Sequence, residues 1–571
     1  MRKLFEYIKP YSFLIFVALF LKTLAAFAEL FIPKLLAEIV DEAIPANDIS
    51  RVYMLGAVMI GMAVLALFGN IFANRFAAIN SGKITQNIRH DLFEKTIRLD
   101  LEDADKYGTS SLISRITSDT YNINSMIGRM QRMGVRAPIL LVGGIIITLT
   151  INARLTLILV AVLPFVAGTV YYITKKTIPI YTDVQKNLDD MVRTVEENAA
   201  GVRVIKALSK SEYEKGRFHA VNDRLVKREI YASALMALTN PLTGLFLNLG
   251  LCAVIAVGAY ISLTESAISG KLLAFMTYFT IILNAMIGVT KIFVMLSRGI
   301  ASARRITEVI ETPARDRGVP APARESGGYL VFDDVSFSYN KNENNLDGIS
   351  FSLKKGETLG IIGATGSGKS TIVSLLNNFY SPDKGNIYID GTDIRAVPNK
   401  KLRKMIGTAF QNDFITTATV SENISFFRGI SDEDIKHAAA VAQADQYINE
   451  LEGGYGHDIN ARGTNLSGGQ KQRLLIARAL AAKPDILILD DSASALDYKT
   501  DMNLRREIKN ALKDTTTVII AQRISSIKNA DLIIVLNDGK IIGKGTHEEL
   551  LASCEEYREI SEIQMGGVAN A

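Results

Sequence analysis

The chain has 571 residues, 48% of them hydrophobic, with a mean hydropathy of +0.18 beside 22% charged residues. That balance excludes a disordered, collagenous or disulfide-stapled protein and is too apolar for an ordinary soluble enzyme, so charged and apolar residues must be segregated along the chain. A formal net charge of +5 is too thin over this length to imply a nucleic-acid partner.

Up to about Leu296, long apolar runs alternate with charged, helix-patterned stretches. The opening MRKLFEYIKPY has bases around a short amphipathic turn and no apolar core with a cleavage site, so it reads as an interfacial elbow and not as a cleavable signal peptide. Six apolar runs follow, at approximately 11–33, 52–79, 135–152, 155–174, 241–263 and 272–296. Each is near the ~20 residues that cross a lipid bilayer as a helix. Between runs two and three, 80–134 carries Lys83, Arg89, Lys95, Arg98, Lys106, Arg115, Arg129 and Arg132, and 175–240 is similar; the opposite connections hold Asp41, Glu42, Asp48, Arg154, and Glu265 near Lys271. This positive-inside bias is expected to put the long stretches and both termini on the cytoplasmic side of the membrane. Helical spacing such as Ile84, Ile88 and Leu92 carries the spans on as helices beyond the bilayer.

Lys22 and Glu29, seven residues apart in the first span, share a helical face about 10.5 Å apart along the axis. Charges in a bilayer face a cavity or a partner. Asn70, Asn248, Asn284 and Lys291 are further polar candidates for the lumen, Lys291 with snorkelling to a surface as an equal alternative. Phe246, Phe275, Tyr278 and Phe279 read as packing or lipid-facing residues ahead of a substrate path. Cys252 lies in an apolar run and Cys554 in a charged tail, so neither a disulfide nor a reactive thiol is expected.

A membrane domain at 1–311 is thus followed by a Pro-, Gly- and Arg-rich linker, Thr312–Gly328, and a second domain at 329–571. In the latter, short β-rich runs (Thr358–Ile362, Ile486–Leu489, Thr517–Ile520 and Leu532–Leu536) alternate with helical stretches, the pattern of an α/β domain with a largely parallel sheet. Gly363-Ala364-Thr365-Gly366-Ser367-Gly368-Lys369-Ser370 fits GxxxxGK[ST] between the strand-like TLGII and an apolar helix that begins with Thr371. Successive N–H groups and a helix N-terminus cradle phosphates, Lys369 reaches the β/γ-phosphates, and Ser370 ligates Mg²⁺. Ile486-Leu-Ile-Leu489 delivers Asp490 and Asp491 to the same end of the sheet, where Asp490 can hold the Mg²⁺ shell.

Asn465-Leu-Ser467-Gly468-Gly469-Gln470, followed by Lys471-Gln-Arg473, resembles the signature motif of ATP-binding cassette (ABC) transporters. With six spans and one such domain, the whole chain resembles an exporter half-transporter of the multidrug type. The resemblance implies a type IV exporter fold, a polytopic all-α membrane domain followed by an α/β P-loop nucleotide-binding domain, and MgATP as cofactor. It implies that Tyr339, 24 residues before Gly363, stacks on adenine, that Gln411 touches Mg²⁺ and senses the membrane part, and that Asp497 in Ser494-Ala-Leu-Asp497 lies where two such domains meet. The signature turn is expected to open a helix at Gln470 and to offer its serine hydroxyl and amides to a γ-phosphate held by another domain. LDLEDADKYG (99–108) and ENAAGVRVIKAL (197–208) resemble the family's coupling helices.

The chain departs from the family at three positions. Asp491 stands where a glutamate normally polarises the attacking water, Gln522 stands in for the switch histidine, and Ala461 replaces a frequent glutamate near the coupling contact. Asp is one methylene shorter, about 1.5 Å, and misplacement of roughly 1 Å can cost about 10²-fold in rate. Gln cannot become cationic or relay a proton. With Lys369, Asp491, Gln522 and Asp497 as its catalytic set, the chain's own site is therefore expected to be degenerate and slow. Its intact signature would complete the hydrolytic site of a second half-transporter, and the cargo would be small amphipathic compounds. Lipid or peptide export, a regulatory ATP clamp and an active homodimer are the alternatives; six spans exclude a soluble cassette ATPase.

Overall fold

The computed structural model describes residues 2–262, 269–313, 320–324, 327–411 and 414–565. Glu265, the Lys291 side chain and parts of the 312–328 linker lie outside the described residues. Packing divides the chain into two compact units, Met1–Leu99 with Tyr107–Thr312, and Asp100–Lys106 with Pro313–Ala571.

Among the described residues of the first unit, six helices are long and apolar enough to cross a membrane. Ser12–Glu38, Ile49–Ile97 and Ala153–Ala200 run unbroken, the last two for 49 and 48 residues, so the spans do continue well past a bilayer's thickness. Large side chains such as Phe13, Phe16, Phe20, Phe68 and Phe72 point outward, an apolar surface suited to lipid. Inside, small residues let backbones approach: a Cβ on Gly69 would meet the Ala25 Cβ at 3.1 Å and the Leu21 carbonyl oxygen at 3.2 Å. Phe275, Tyr278 and Phe279 are fully buried in the helical core, and Phe246 stacks on Phe165 with centroids 5.8 Å apart, so these aromatics pack.

Lys22 and Glu29 are joined through Asn70. The Lys22 Nζ donates to Asn70 Oδ1 at 2.6 Å and Asn74 Oδ1 at 3.2 Å, while Asn70 Nδ2 and Arg136 donate to Glu29 at 2.9 and 2.7 Å. Charge inside the helical unit is thereby matched by donors and acceptors, as a low-dielectric setting requires.

The second unit carries a six-stranded sheet ordered Lys540–Gly545, Leu532–Asn537, Thr358–Gly363, Thr516–Ile520, Ile486–Asp490, Ile406–Ala409; all neighbours are parallel except the first pair. Ile486–Asp490 is buried at every position, the continuous apolar pattern of a strand covered on both faces. A separate antiparallel sheet is built on Leu330–Phe337, flanked by Leu346–Leu353 and Lys384–Ile389. Both cysteines are free, and Cys554 is buried in the core instead of lying on a charged surface.

Candidate nucleotide site

The parallel register sets Ile520 opposite Asp490 on one side and Ile361 on the other, so three strands end at one edge. The loop Ala364–Gly368 and the helix Lys369–Leu376 leave from that edge. Two glycines there are required by space and conformation. A Cβ on Gly363 would lie 2.1 Å from the Leu536 carbonyl oxygen, and Gly368 combines φ +98° with a would-be Cβ 2.7 Å from the Asn345 carbonyl oxygen.

Ala364, Thr365, Gly366 and Ser370 are exposed, whereas Ser367 and Thr371 are buried. Among the described residues the Ser367 hydroxyl has no hydrogen-bond partner. Lys369 Nζ donates to the loop's own carbonyls, Gly363 at 2.8 Å and Ala364 at 2.6 Å. Burial pushes its ammonium below the ordinary range, and Asp491 and Asp490 push the other way. Asp490 is raised by burial first and by Asp491 next, with a hydrogen bond from Ser370 and the Lys369 charge opposing. Ser370 and Asp490 thus form an oxygen pair of the hard-donor kind Mg²⁺ takes.

Asp491, at φ +46°, is the point of convergence. One carboxylate oxygen, Oδ2, accepts from Gln411 Nε2 at 3.0 Å and from Gln522 Nε2 at 2.9 Å. Burial raises Asp491, and Lys369, Arg523 and the two glutamines partly offset that rise. A cavity of about 360 Å³ lies beside it, lined by Ser492, Ser494, Arg505, Gln522 and Arg523 among others.

Tyr339 is 46% exposed and held edge-to-face by Phe337 and Tyr380, with centroids 4.8 and 5.0 Å away. Asp497 is engaged as a helix cap: its carboxylate accepts from Thr500 N at 3.0 Å and Thr500 Oγ1 at 2.7 Å, contacts that pull it below the usual carboxylate range. The signature turn differs from expectation. Its helix opens at Gly468, two residues before Gln470, because Ser467 is the N-cap. Ser467 Oγ accepts from Gln470 N at 3.3 Å and Gln470 Oε1 from Ser467 N at 2.8 Å, a closed capping box. Lys369, Ser370, Asp490, Asp491, Gln411 and Gln522 are therefore brought together, whereas Ser467–Gln470 and Asp497 are held by their own helix starts.

Two residues at this edge escaped the sequence reading. Gln564 donates to the Gln522 carbonyl at 2.8 Å and accepts from Ile524 N at 2.8 Å, so the C-terminal helix clamps the Gln522 loop. Tyr380 supports Tyr339 from four residues past the end of the phosphate-loop helix. Neither belongs to a local motif; only the tertiary fold brings them in.

A strand-edge phosphate loop with paired carboxylates, joined in one chain to six apolar helices, defines a membrane-embedded P-loop ATPase. The family model described as "ABC transporter transmembrane region" matches residues 15–286, and that described as "ABC transporter" matches 346–494. The chain is 36% identical over 568 residues to the uncharacterized ABC transporter ATP-binding protein YfiB of Bacillus subtilis, covering 99% of both chains. It is 33% identical over 582 residues to Rv1273c of Mycobacterium tuberculosis, an uncharacterized protein of the same description, again with 99% of both covered. A solved bacterial Atm1-family ABC exporter with ATP bound shares the fold, with a TM-score of 0.82 at 24% identity over 97% of this chain and 99% of that one. The chain belongs to the ABC transporter family. It is a multi-pass membrane protein whose ATPase domain, like others of its family, uses ATP with Mg²⁺ and couples hydrolysis to transport.

Proposed function

We propose that the chain is one subunit of a heterodimeric exporter in the cytoplasmic membrane, its termini cytoplasmic, that expels hydrophobic or amphipathic compounds. We assign 1–311 to the membrane domain, 312–328 to the linker and 329–571 to the nucleotide-binding domain. Tyr339 takes the adenine, residues 363–371 cradle the phosphates, and Ser370, Gln411 and Asp490 hold Mg²⁺, whose charge neutralises that of the phosphates when bound. Asp491 and Gln522 make this site slow, and Ser467–Gln470 completes the faster site on the partner.

The observation that carries this reading is the double amide grip on Asp491. A carboxylate acting as general base must present an oxygen to water. Here the shorter side chain has one oxygen taken by two glutamine donors, and Gln522 offers no imidazole to assist. Steady-state MgATPase of the chain alone in lipid nanodiscs, beside nucleotide binding, tests the proposal. Binding with turnover at least about tenfold below that of the assembled pair is expected; equal turnover by the chain alone would sink the heterodimer.

A further inference from the structure

The adenine-side aromatics are continuous with a segment that lies far away in sequence. Tyr380, 6% exposed, sits four residues past the end of the phosphate-loop helix. Its ring meets Tyr339 edge-to-face at 90°, with centroids 5.0 Å apart, and leans on Phe337 at 5.6 Å. Its hydroxyl donates to the carboxylate of Asp105 on the short helix Leu101–Tyr107, most of which packs with the nucleotide-binding unit. Burial first, and the Asp105 hydrogen bond next, hold the phenol above its ordinary range, so it remains a donor at working pH. Tyr339 itself is anchored from behind, its backbone N–H donating to Asn345 Oδ1 at 3.0 Å.

We propose that Tyr380 is a positioning residue that makes the Asp100–Lys106 segment responsive to the base of the bound nucleotide: adenine on Tyr339 fixes the Tyr339–Tyr380 ring pair and thereby the hydroxyl that Asp105 accepts from. This rests on the reading of 339 and 363–371 as the ATP site. The physical logic is a two-step constraint. An edge-to-face pair has a preferred geometry, so immobilising one ring restricts the other. A hydrogen bond to a carboxylate is strong and directional, so restricting the donor restricts the helix that carries the acceptor. The phosphates alone, gripped at 363–371, would not touch the ring pair.

Hydrogen–deuterium exchange on the full chain in nanodiscs, without Mg²⁺ so that nothing is hydrolysed, tests this. Peptides covering 363–371 report phosphate occupancy, and those covering 100–107 report the segment. In the unaltered chain ATP slows both. Inorganic tripolyphosphate is expected to slow 363–371 only, and equal slowing of 100–107 would overturn the adenine route. Tyr380→Phe keeps the ring and removes the hydroxyl: ATP still slows 363–371, but its effect on 100–107 falls about tenfold, the scale of a lost hydrogen bond to a charged group. Asp105→Asn keeps an acceptor and retains most of the effect, whereas Asp105→Ala loses it. A merely structural Tyr380 would speed exchange of 100–107 equally with and without ATP and leave ATP's effect intact, which would refute the proposal. If ATP fails to slow 363–371 in the unaltered chain, the nucleotide site itself has been misread.

Discussion

The phosphate-loop edge and the signature turn are both polar helix starts on one domain, yet they are finished differently. At the edge, side chains from four separate stretches (Lys369 and Ser370, Gln411, Asp490 and Asp491, Gln522) converge across up to 153 residues of sequence and, among the described residues, leave the Ser367 hydroxyl without a partner. At the signature turn, the side chains of Ser467 and Gln470 are satisfied locally, each capping the other, and the one longer contact is to backbone, the Gln470 carbonyl accepting from the Tyr447 hydroxyl at 3.0 Å. A site waiting for its own ligand keeps charge concentrated and incompletely satisfied. If the signature turn meets another domain's ligand, as proposed, it can be self-satisfied until that domain arrives, because N1 and N2 amides remain available beyond the cap.

The contrast is broken most forcefully at Lys369. On the proposed reading, Lys369→Met should lower nucleotide affinity by about a hundredfold, measured with a fluorescent ATP analogue, since Lys369 carries the only positive side chain of 363–371. Ser467→Asn probes the opposite region. Asn caps helices as well as Ser, so the melting temperature should hold and the chain's own ATP affinity should not change. Turnover of the assembled pair should nevertheless fall by roughly thirtyfold, the scale of one lost hydrogen bond to a charged group. Loss of own-site binding instead would mean that the two regions serve one nucleotide within one chain. Asp491→Glu sharpens the comparison from the edge side. Restoring the missing methylene should raise turnover by about tenfold in the assembled pair, and unchanged turnover and nucleotide occlusion would rule out degeneracy as the reason for slowness.

What could be read in the sequence follows the range of the physics that encodes it. The phosphate loop was legible because one contiguous segment must supply glycines, lysine and serine together, and the apolar spans because bilayer thickness sets their length. Strand ends moved by a residue, as at Ile486–Asp490, where the sheet ladder continues into the carboxylate itself. The antiparallel layer around Leu330–Phe337 was not anticipated beside the parallel sheet, since its strands carry no local sign of whom they pair with. The helix at the signature starts at Gly468 because a capping serine outweighs two glycines' low propensity. Asn70's place between Lys22 and Glu29, and Gln564's hold on the Gln522 loop, are contacts across 41 residues or more. No window of sequence contains them.

The smallest expected effect concerns charge alone and separates the edge from a second capped helix start, that of Asp497, by sign. Asp490 is buried beside Asp491 and its pKa is raised, so folding favours its protonated form. A raised carboxylate contributes stability only below its unfolded pKa and loses it as pH rises through the folded value. Above the ordinary carboxylate range, burying this carboxylate therefore costs the nucleotide-free protein stability, and Asp490→Asn should raise its melting temperature at neutral pH by roughly 1–3 °C. That gain should fade as pH drops from the raised Asp490 value toward the ordinary carboxylate range. Asp497 runs the other way. Thr500 depresses its pKa, so its stabilisation is present above the unfolded value and disappears as pH falls through the folded one. Asp497→Ala should accordingly lower the melting temperature at neutral pH and lose that effect in acid. Thermal scans of both variants across pH 4 to 8 give opposite slopes if the edge stores unfavourable charge and the cap uses favourable charge. Parallel slopes would show that Asp490 is already neutralised by Lys369 and Ser370 without nucleotide.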